Sequence, residues 1–208
     1  MTEAPTRTAS TRSRKIKALL AGGLVLGVGA AVTLAAWTDQ EWAEGIFGAG
    51  SFNIEGSTSG EEGSFRDNNP DGTGPASLEF ELPTSTNLYP GAEVAAPFVV
   101  RLDAETTYNA SLELTEASAT GDNSEALTYG IVRVPSAADC TADASGTEIV
   151  EAGTALSSAP DMDAITLEAG EGTAGDPVTL CFQVTADENL QQNQSTTANW
   201  QFVGTSVE

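Results

Sequence analysis

The chain has 208 residues, a formal net charge of −22 and no histidine. The missing imidazole excludes Ser-His-Asp and Cys-His catalysis, HExxH zinc sites and a histidine pH switch. Thirty acidic residues against eight basic ones give a surface that repels nucleic-acid phosphates and anionic lipid headgroups, so nucleic acid is not an expected partner.

Residues 1–36 have the pattern of an export signal. Five of the eight basic residues lie in the n-region 1–17, and the h-region 18–36 carries no charge. Small residues at the end of this run predict cleavage by a signal peptidase after Ala35 or Ala36. No twin-arginine pair precedes the run, which favours the general secretory route. We therefore expect a secreted protein.

A retained membrane anchor is the alternative to cleavage, because the apolar run is long enough to span a hydrocarbon core of about 30 Å as a helix. Gly22, Gly23, Gly27 and Gly29 weaken such a helix by about 1 kcal/mol each relative to alanine, which favours cleavage. Contact with the membrane is then expected only through an uncleaved leader. Residues 37–208 keep three arginines and twenty-nine acidic residues, a net charge of −26, and are of a length typical of one domain.

The mature chain alternates between apolar and polar residues with a period of two, which indicates strands. The clearest alternation covers Ser77–Leu82, Ala110–Glu116 and Val178–Val184. Further strands are predicted at 50–54, 96–102, 127–134, 164–167 and 197–203. Residues 55–75 are the most loop-like stretch, and residues 136–160 have the weakest strand pattern. Some eight short strands between Gly, Pro, Asn and Asp turns predict an all-β protein, a single β-sandwich of the jelly-roll or immunoglobulin-like kind over residues 37–208.

Two cysteines lie beyond the leader, Cys140 and Cys181. An even count in an oxidising compartment predicts a disulfide, with two free thiols as the alternative. Closing this loop would contribute about 4 kcal/mol in the chain-entropy treatment. Cys181 falls on the face of its strand opposite Leu180 and Phe182, so we expect a peripheral bridge.

The segment Asp67-Asn-Asn-Pro-Asp-Gly72 matches the opening of a calcium-binding loop, with Asp67, Asn69 and Asp71 as its ligands. Leu78 occupies the twelfth position in place of the bidentate glutamate, and no helical pattern flanks the loop. A plain Asx/Gly turn is therefore the alternative. Calcium is the one cofactor considered, and a secreted, cation-dependent surface binding module is the second functional hypothesis.

Three segments carry a resemblance to a known family. They are the leader running through Ala36–Ala43 into Phe47–Ile54, the Leu-x-Pro-Gly turn and paired strands of Asn87–Leu102 and Tyr108–Leu114, and the block Val178–Val203. Together they resemble proteins exported through a SipW-type signal peptidase, the group that contains TasA and camelysin. High alanine, high acid and scarce lysine favour an actinobacterial-type version. The resemblance implies a jelly-roll-like sandwich, a SipW-type signal peptidase as partner during export, and a place at the cell surface or in the extracellular matrix.

The resemblance leads us to expect a non-catalytic structural subunit of a matrix or biofilm fibre, which assembles with itself or with related matrix proteins. Residues 37–54 would serve as an N-terminal strand able to leave its own domain, with Phe47, Phe52 and Ile54 as the assembly residues. An ordinary first strand of the same domain is the alternative. Camelysin is described as a metallopeptidase, but that activity is not carried over to a chain without His or HExxH. No carboxylate pair of the kind that glycosidases need stands out, so we assign no catalytic residue.

Overall fold

A computed structural model of the chain describes residues 12, 15–20, 51–68, 74–80 and 88–207. The chain divides into two units, Met1–Phe47 and Gly48–Glu208. In the first unit, residues 15–20 are helical. Within the described residues, no helix combines the length and the apolar character that crossing a membrane requires. The predicted cleavage residues Ala35 and Ala36 lie outside the described part.

The described residues of the second unit form eight strands. Their bounds are β1 Ile54–Ser57, β2 Glu93–Leu102, β3 Asn109–Gly121, β4 Leu127–Val134, β5 Thr147–Ala155, β6 Ile165–Leu167, β7 Val178–Ala186 and β8 Thr196–Val207. They form two antiparallel sheets, one of five strands in the order β1-β2-β7-β4-β5 and one of three in the order β6-β3-β8. The predicted all-β, sandwich-like fold is confirmed.

The main core lies where the two sheets face each other, and strand alternation explains its membership. Along β7, Val178, Leu180, Phe182 and Val184 all point into it. The bulky core side chains are β-branched, leucine or aromatic, the types that pack well on a pleated surface. Tyr129 on β4 is among the largest fully buried residues.

Two strand predictions were wrong. β5 lies inside the stretch predicted to be the weakest strand territory, because irregular pairing with β4 and a positive φ at Gly153 break its alternation. Ser77–Phe80, the described part of the strand predicted at 77–82, joins no ladder. Its faces were nevertheless right, since Leu78 and Phe80 are half-buried against the core. A third prediction, the strand at 50–54, was only partly right, because β1 begins at Ile54 and extends into the stretch predicted to be most loop-like.

Residues 135–146 cover part of the outer face of the five-stranded sheet. They are tied down by the disulfide Cys140–Cys181, whose Cα atoms are 5.1 Å apart. They are also held by Gln183, whose Nε2 lies 2.9 Å from the carbonyl oxygen of Ala144. The two cysteines form a small cluster with Ala95 and Val134, separate from the main core. The predicted disulfide and its peripheral place are confirmed.

Candidate assembly interface

β8 is one of the two edge strands of the three-stranded sheet, and β6 is the other. β8 pairs with β3 from Thr196 to Val207, and no other strand of the described chain pairs with its second side. Its twelve residues, TTANWQFVGTSV, include no charged residue and no proline. The sequence analysis predicted a strand at 197–203 but gave no sign that it would be an edge. The one feature of the sequence that points to an edge strand is that these twelve residues carry no charge although the chain is strongly acidic.

Local sequence explains both faces of β8. Thr, Val, Trp and Phe favour extended backbone, and they alternate with small or polar residues. The side chains of Ala198, Trp200 and Phe202 turn towards the first sheet, while Asn199 and Gln201 point to solvent. None of the twelve residues is fully buried, not even the two aromatic ones. The inner face of β8 is therefore only partly closed.

The inward residues of β8 contact one strand of the first sheet after another. The Trp200 ring centre lies 5.3 Å from that of Tyr129 on β4 and 4.9 Å from that of Phe182 on β7. Phe202 reaches Phe98 on β2 at 6.2 Å. Gly204 lies against Ile54 on β1. β8 thus crosses the five-stranded sheet obliquely, and these aromatic contacts anchor it from one side.

Some buried polar atoms on and beneath β8 have a hydrogen-bond partner and others do not. The Tyr129 hydroxyl donates a 2.7 Å hydrogen bond to the carbonyl of Ser158. Burial raises the pKa of Tyr129 to about 12. The nearby indole N–H of Trp200 opposes this rise, although it does not form a hydrogen bond with the Tyr129 hydroxyl. Within the described chain, Trp200 Nε1 and Thr196 Oγ1 are buried without a partner.

The β1 edge of the five-stranded sheet is protected. β1 has four residues, and its open side is covered where Gly56 and Arg66 exchange two backbone hydrogen bonds of 2.9 and 3.1 Å. The Asn68 side chain donates a further bond to the Gly56 carbonyl. A short and covered edge offers a neighbouring chain few free donors or acceptors.

The β5 and β6 edges are protected by other means. β5 pairs irregularly with β4, carries Glu148 and Glu151, and bends at Gly153, whose φ is +88°. β6 has three residues, and Asp163 and Glu168 flank it. Bulges, charges and short length are the devices that keep sheet edges from pairing with other chains. Among the four strand edges of the described sandwich, β8 is the only one that is both long and uncharged, and the single register shift in its ladder with β3, between Leu114 and Glu116, lies on the β3 side.

An ion cluster that the sequence analysis did not predict lies on the outer face, at the β1 end of the sheet. Arg101 on β2 is 8 % exposed and bonds Glu55 at 2.6 Å and Glu62 at 2.7 Å, while its guanidinium carbon lies 3.8 Å from the centre of the Phe65 ring. The hydrogen bond from Arg101, together with its charge, lowers the pKa of Glu62. The cluster joins β1 and the segment 58–66 to β2. In the sequence, the one sign of this cluster is a single charged residue, Arg101, within an otherwise apolar run.

Hydrogen bonds also hold the chain just before β1. The Thr106 hydroxyl accepts a 2.9 Å bond from the Asn53 amide and donates to the Asp103 carboxylate at 3.1 Å. Burial would raise the pKa of Asp103, but donors from Asn53, Glu105 and Thr106 outweigh it and lower that pKa. Residues from Asn53 onward are thus fastened within their own domain.

The predicted assembly residues are only partly described. Ile54 begins β1 and packs against the core, and Phe52 is 38 % exposed beside it. Phe47 lies outside the described residues. An assembly role for the three stays a prediction.

The predicted calcium ligands are also split. Asp67 is exposed, next to Asn68, whose amide bonds the backbone of Gly56 and Arg66. Asn69 and Asp71 lie outside the described residues. Within the described residues, no group of three His, Cys, Asp or Glu side chains is placed to hold a metal ion. A calcium site over 67–71 stays a prediction.

No family model matches the sequence, and no curated protein matches it either. The described residues form a disulfide-bonded all-β sandwich in which β8 is the long, uncharged edge. The resemblance to the TasA and camelysin group therefore remains a hypothesis about function.

Proposed function

We propose that this chain is an exported, non-catalytic structural subunit of a cell-surface or extracellular matrix fibre, processed by a SipW-type signal peptidase and similar in role to TasA. The observation that carries the proposal is the β8 edge, which is twelve residues long, uncharged and unpaired on one side within the described chain. Strand addition at such an edge joins subunits through main-chain hydrogen bonds.

The disulfide supports the extracellular part of the proposal. Structural disulfides persist in oxidising compartments and are rare where thiols are kept reduced. Cys140 is 8 % exposed and Cys181 is fully buried, as befits a structural bridge. The acidic surface supports the same reading, because a high net charge keeps subunits soluble until a specific contact joins them.

The test is expression of the full chain in a bacterium that has a SipW-type signal peptidase. We expect the protein outside the cells, with its N-terminus at residue 36 or 37, and regular filaments in negative-stain electron microscopy after concentration. Retention inside the cells would contradict export. Single particles that never assemble would contradict the fibre role.

A matched pair of variants tests the part played by β8. Asn199→Glu places a carboxylate on the outward side of the edge strand, where Asn199 is exposed and lies opposite Ser118 of β3. Ser118→Glu makes the same change of charge on the same face of the sheet, but on the inner strand β3. We expect filaments from Ser118→Glu and none from Asn199→Glu. If the two variants assembled equally well, β8 would not be the assembly interface.

A further inference from the structure

Resting on the proposed function, we infer that the β8 edge binds β8 of a second copy, so that the building block of the assembly is a two-fold symmetric dimer. The three-stranded sheets of two subunits would then join into one six-stranded sheet. Because a two-fold contact is closed, these dimers would join into a fibre through a second contact elsewhere on their surface. The two-fold axis would pass through the middle of the strand, and each β8 would run antiparallel to the other.

Charge is the first argument for a second copy as the occupant. Residues 37–208 carry a net charge of −26, so two copies repel each other over most of their surfaces. β8 has no charged residue, and the nearest strand, β3, contributes only Glu113 and Glu116. The edge is thus a place where identical acidic molecules can approach at low electrostatic cost.

Charge also argues against the main alternative occupant. The mature N-terminal segment 37–47 carries Asp39, Glu41 and Glu44, and β8 offers no lysine or arginine to attract them. A second β8 brings no such charge.

The side chains of β8 are the second argument. Its outward residues Thr197, Asn199, Gln201, Val203 and Thr205 are hydroxyl, amide or small apolar groups. None of them is charged, so no like charges would face each other across the new pair of strands, and paired threonine hydroxyls contribute favourably in such ladders. The length of the strand also favours pairing, because twelve residues at about 3.3 Å each allow a hydrogen-bonded ladder roughly 40 Å long between the two copies.

The half-buried aromatic residues are the third argument. Trp200 and Phe202 face the core but keep part of their surface exposed. In the proposed dimer the equivalent residues of the second copy lie on the same side of the joined sheet. Each pair then covers the apolar surface that the single subunit leaves open.

Cysteine scanning of the purified, exported protein tests the inference. Single variants Asn199→Cys, Gln201→Cys, Val203→Cys and Thr205→Cys would be oxidised gently, alone and in mixed pairs, and covalent dimers would be read on non-reducing gels. Ser118→Cys is the control, on the same face but on β3. In a two-fold antiparallel pairing, the two residue numbers of every strong cross-link have the same sum, because only facing Cβ atoms come within disulfide reach.

The outcomes separate this inference from the proposed function. The dimer is supported if the residue numbers of every strong cross-link add to one common sum and the yield of covalent dimer exceeds that of Ser118→Cys at least tenfold. Cross-links no stronger than that background, or strong ones without a common sum, overturn it. If filaments still form in that case, the structural-subunit role stands and the edge has another occupant. If the cross-links obey the rule but no filaments form, the dimer stands and the fibre role fails.

Discussion

Ile54 lies directly over Gly204, so that a Cβ atom at position 204 would fall 1.8 Å from Ile54 Cδ1. The contact joins β1, the first strand of one sheet, to β8, the last strand of the other. Glycine at 204 is therefore required by close approach between the sheets rather than by backbone conformation.

Gly204→Ala should destabilise the domain by about 1–3 kcal/mol, the usual cost of overpacking. Ile54→Val removes the clashing methyl group and should restore part of the loss, so the double variant should be more stable than the sum of the single effects predicts. Urea unfolding of the four proteins measures this. Gly63→Ala, with no atom within 4 Å of the added methyl group, is the control. Simple additivity would contradict the contact.

Arg101→Met should destabilise the domain by about 3 kcal/mol, because Glu55 is left as an unpaired and largely buried carboxylate. Arg101→Met combined with Glu55→Gln should lose less than Arg101→Met alone. Denaturant midpoints give the comparison, and Arg66→Met, at an exposed arginine, is the matched control. If the two arginine variants lost equal stability, the ion cluster would have no special role.

Acid should weaken the attachment of β1 and the segment 58–66. Arg101 lowers the pKa of Glu62 below the ordinary value of 4.5 in the folded state. The stabilisation is therefore present above pH 4.5 and is lost as the pH falls through the folded-state pKa. Glu62→Gln should show a smaller drop in stability between pH 7 and pH 3 than the parent. Glu171→Gln, at an exposed turn, should show the parent's drop. Identical curves for the parent and Glu62→Gln would contradict the assignment.

Removing the disulfide with Cys140→Ala and Cys181→Ala together should lower the free energy of unfolding by about 4 kcal/mol, for a sequence separation of 41 residues. Because both sulfur-bearing residues are buried, a reductant should act on the parent only slowly under native conditions. Thermal unfolding with and without reductant measures both effects. A double variant as stable as the parent would show that Gln183 and the packing of 135–146 suffice without the bridge.

The sequence predicted the parts of the fold that follow from local alternation. β4 was predicted with its observed bounds, β7 within two residues, and the disulfide with its place outside the main core. β5 escaped prediction because its bulges break the period of two. The pairing order of the strands could not be predicted, because alternation assigns faces and not neighbours.

For the same reason the candidate interface could not be found from sequence alone. Thr196–Val207 has the composition of an ordinary amphipathic strand, and only the sheet order makes it an edge. The Arg101 cluster likewise depends on pairing, since β1 must lie beside β2 before Glu55 can face Arg101.

The central claim, that the protein assembles through β8, is tested most directly by hydrogen exchange of the exported protein, dilute and assembled. The amides of β8 that do not bond β3 should exchange quickly in the dilute protein and slow at least tenfold on assembly, while those at the β5 edge stay unchanged. Unchanged exchange in β8, with new protection at β5 or elsewhere, would contradict the claim.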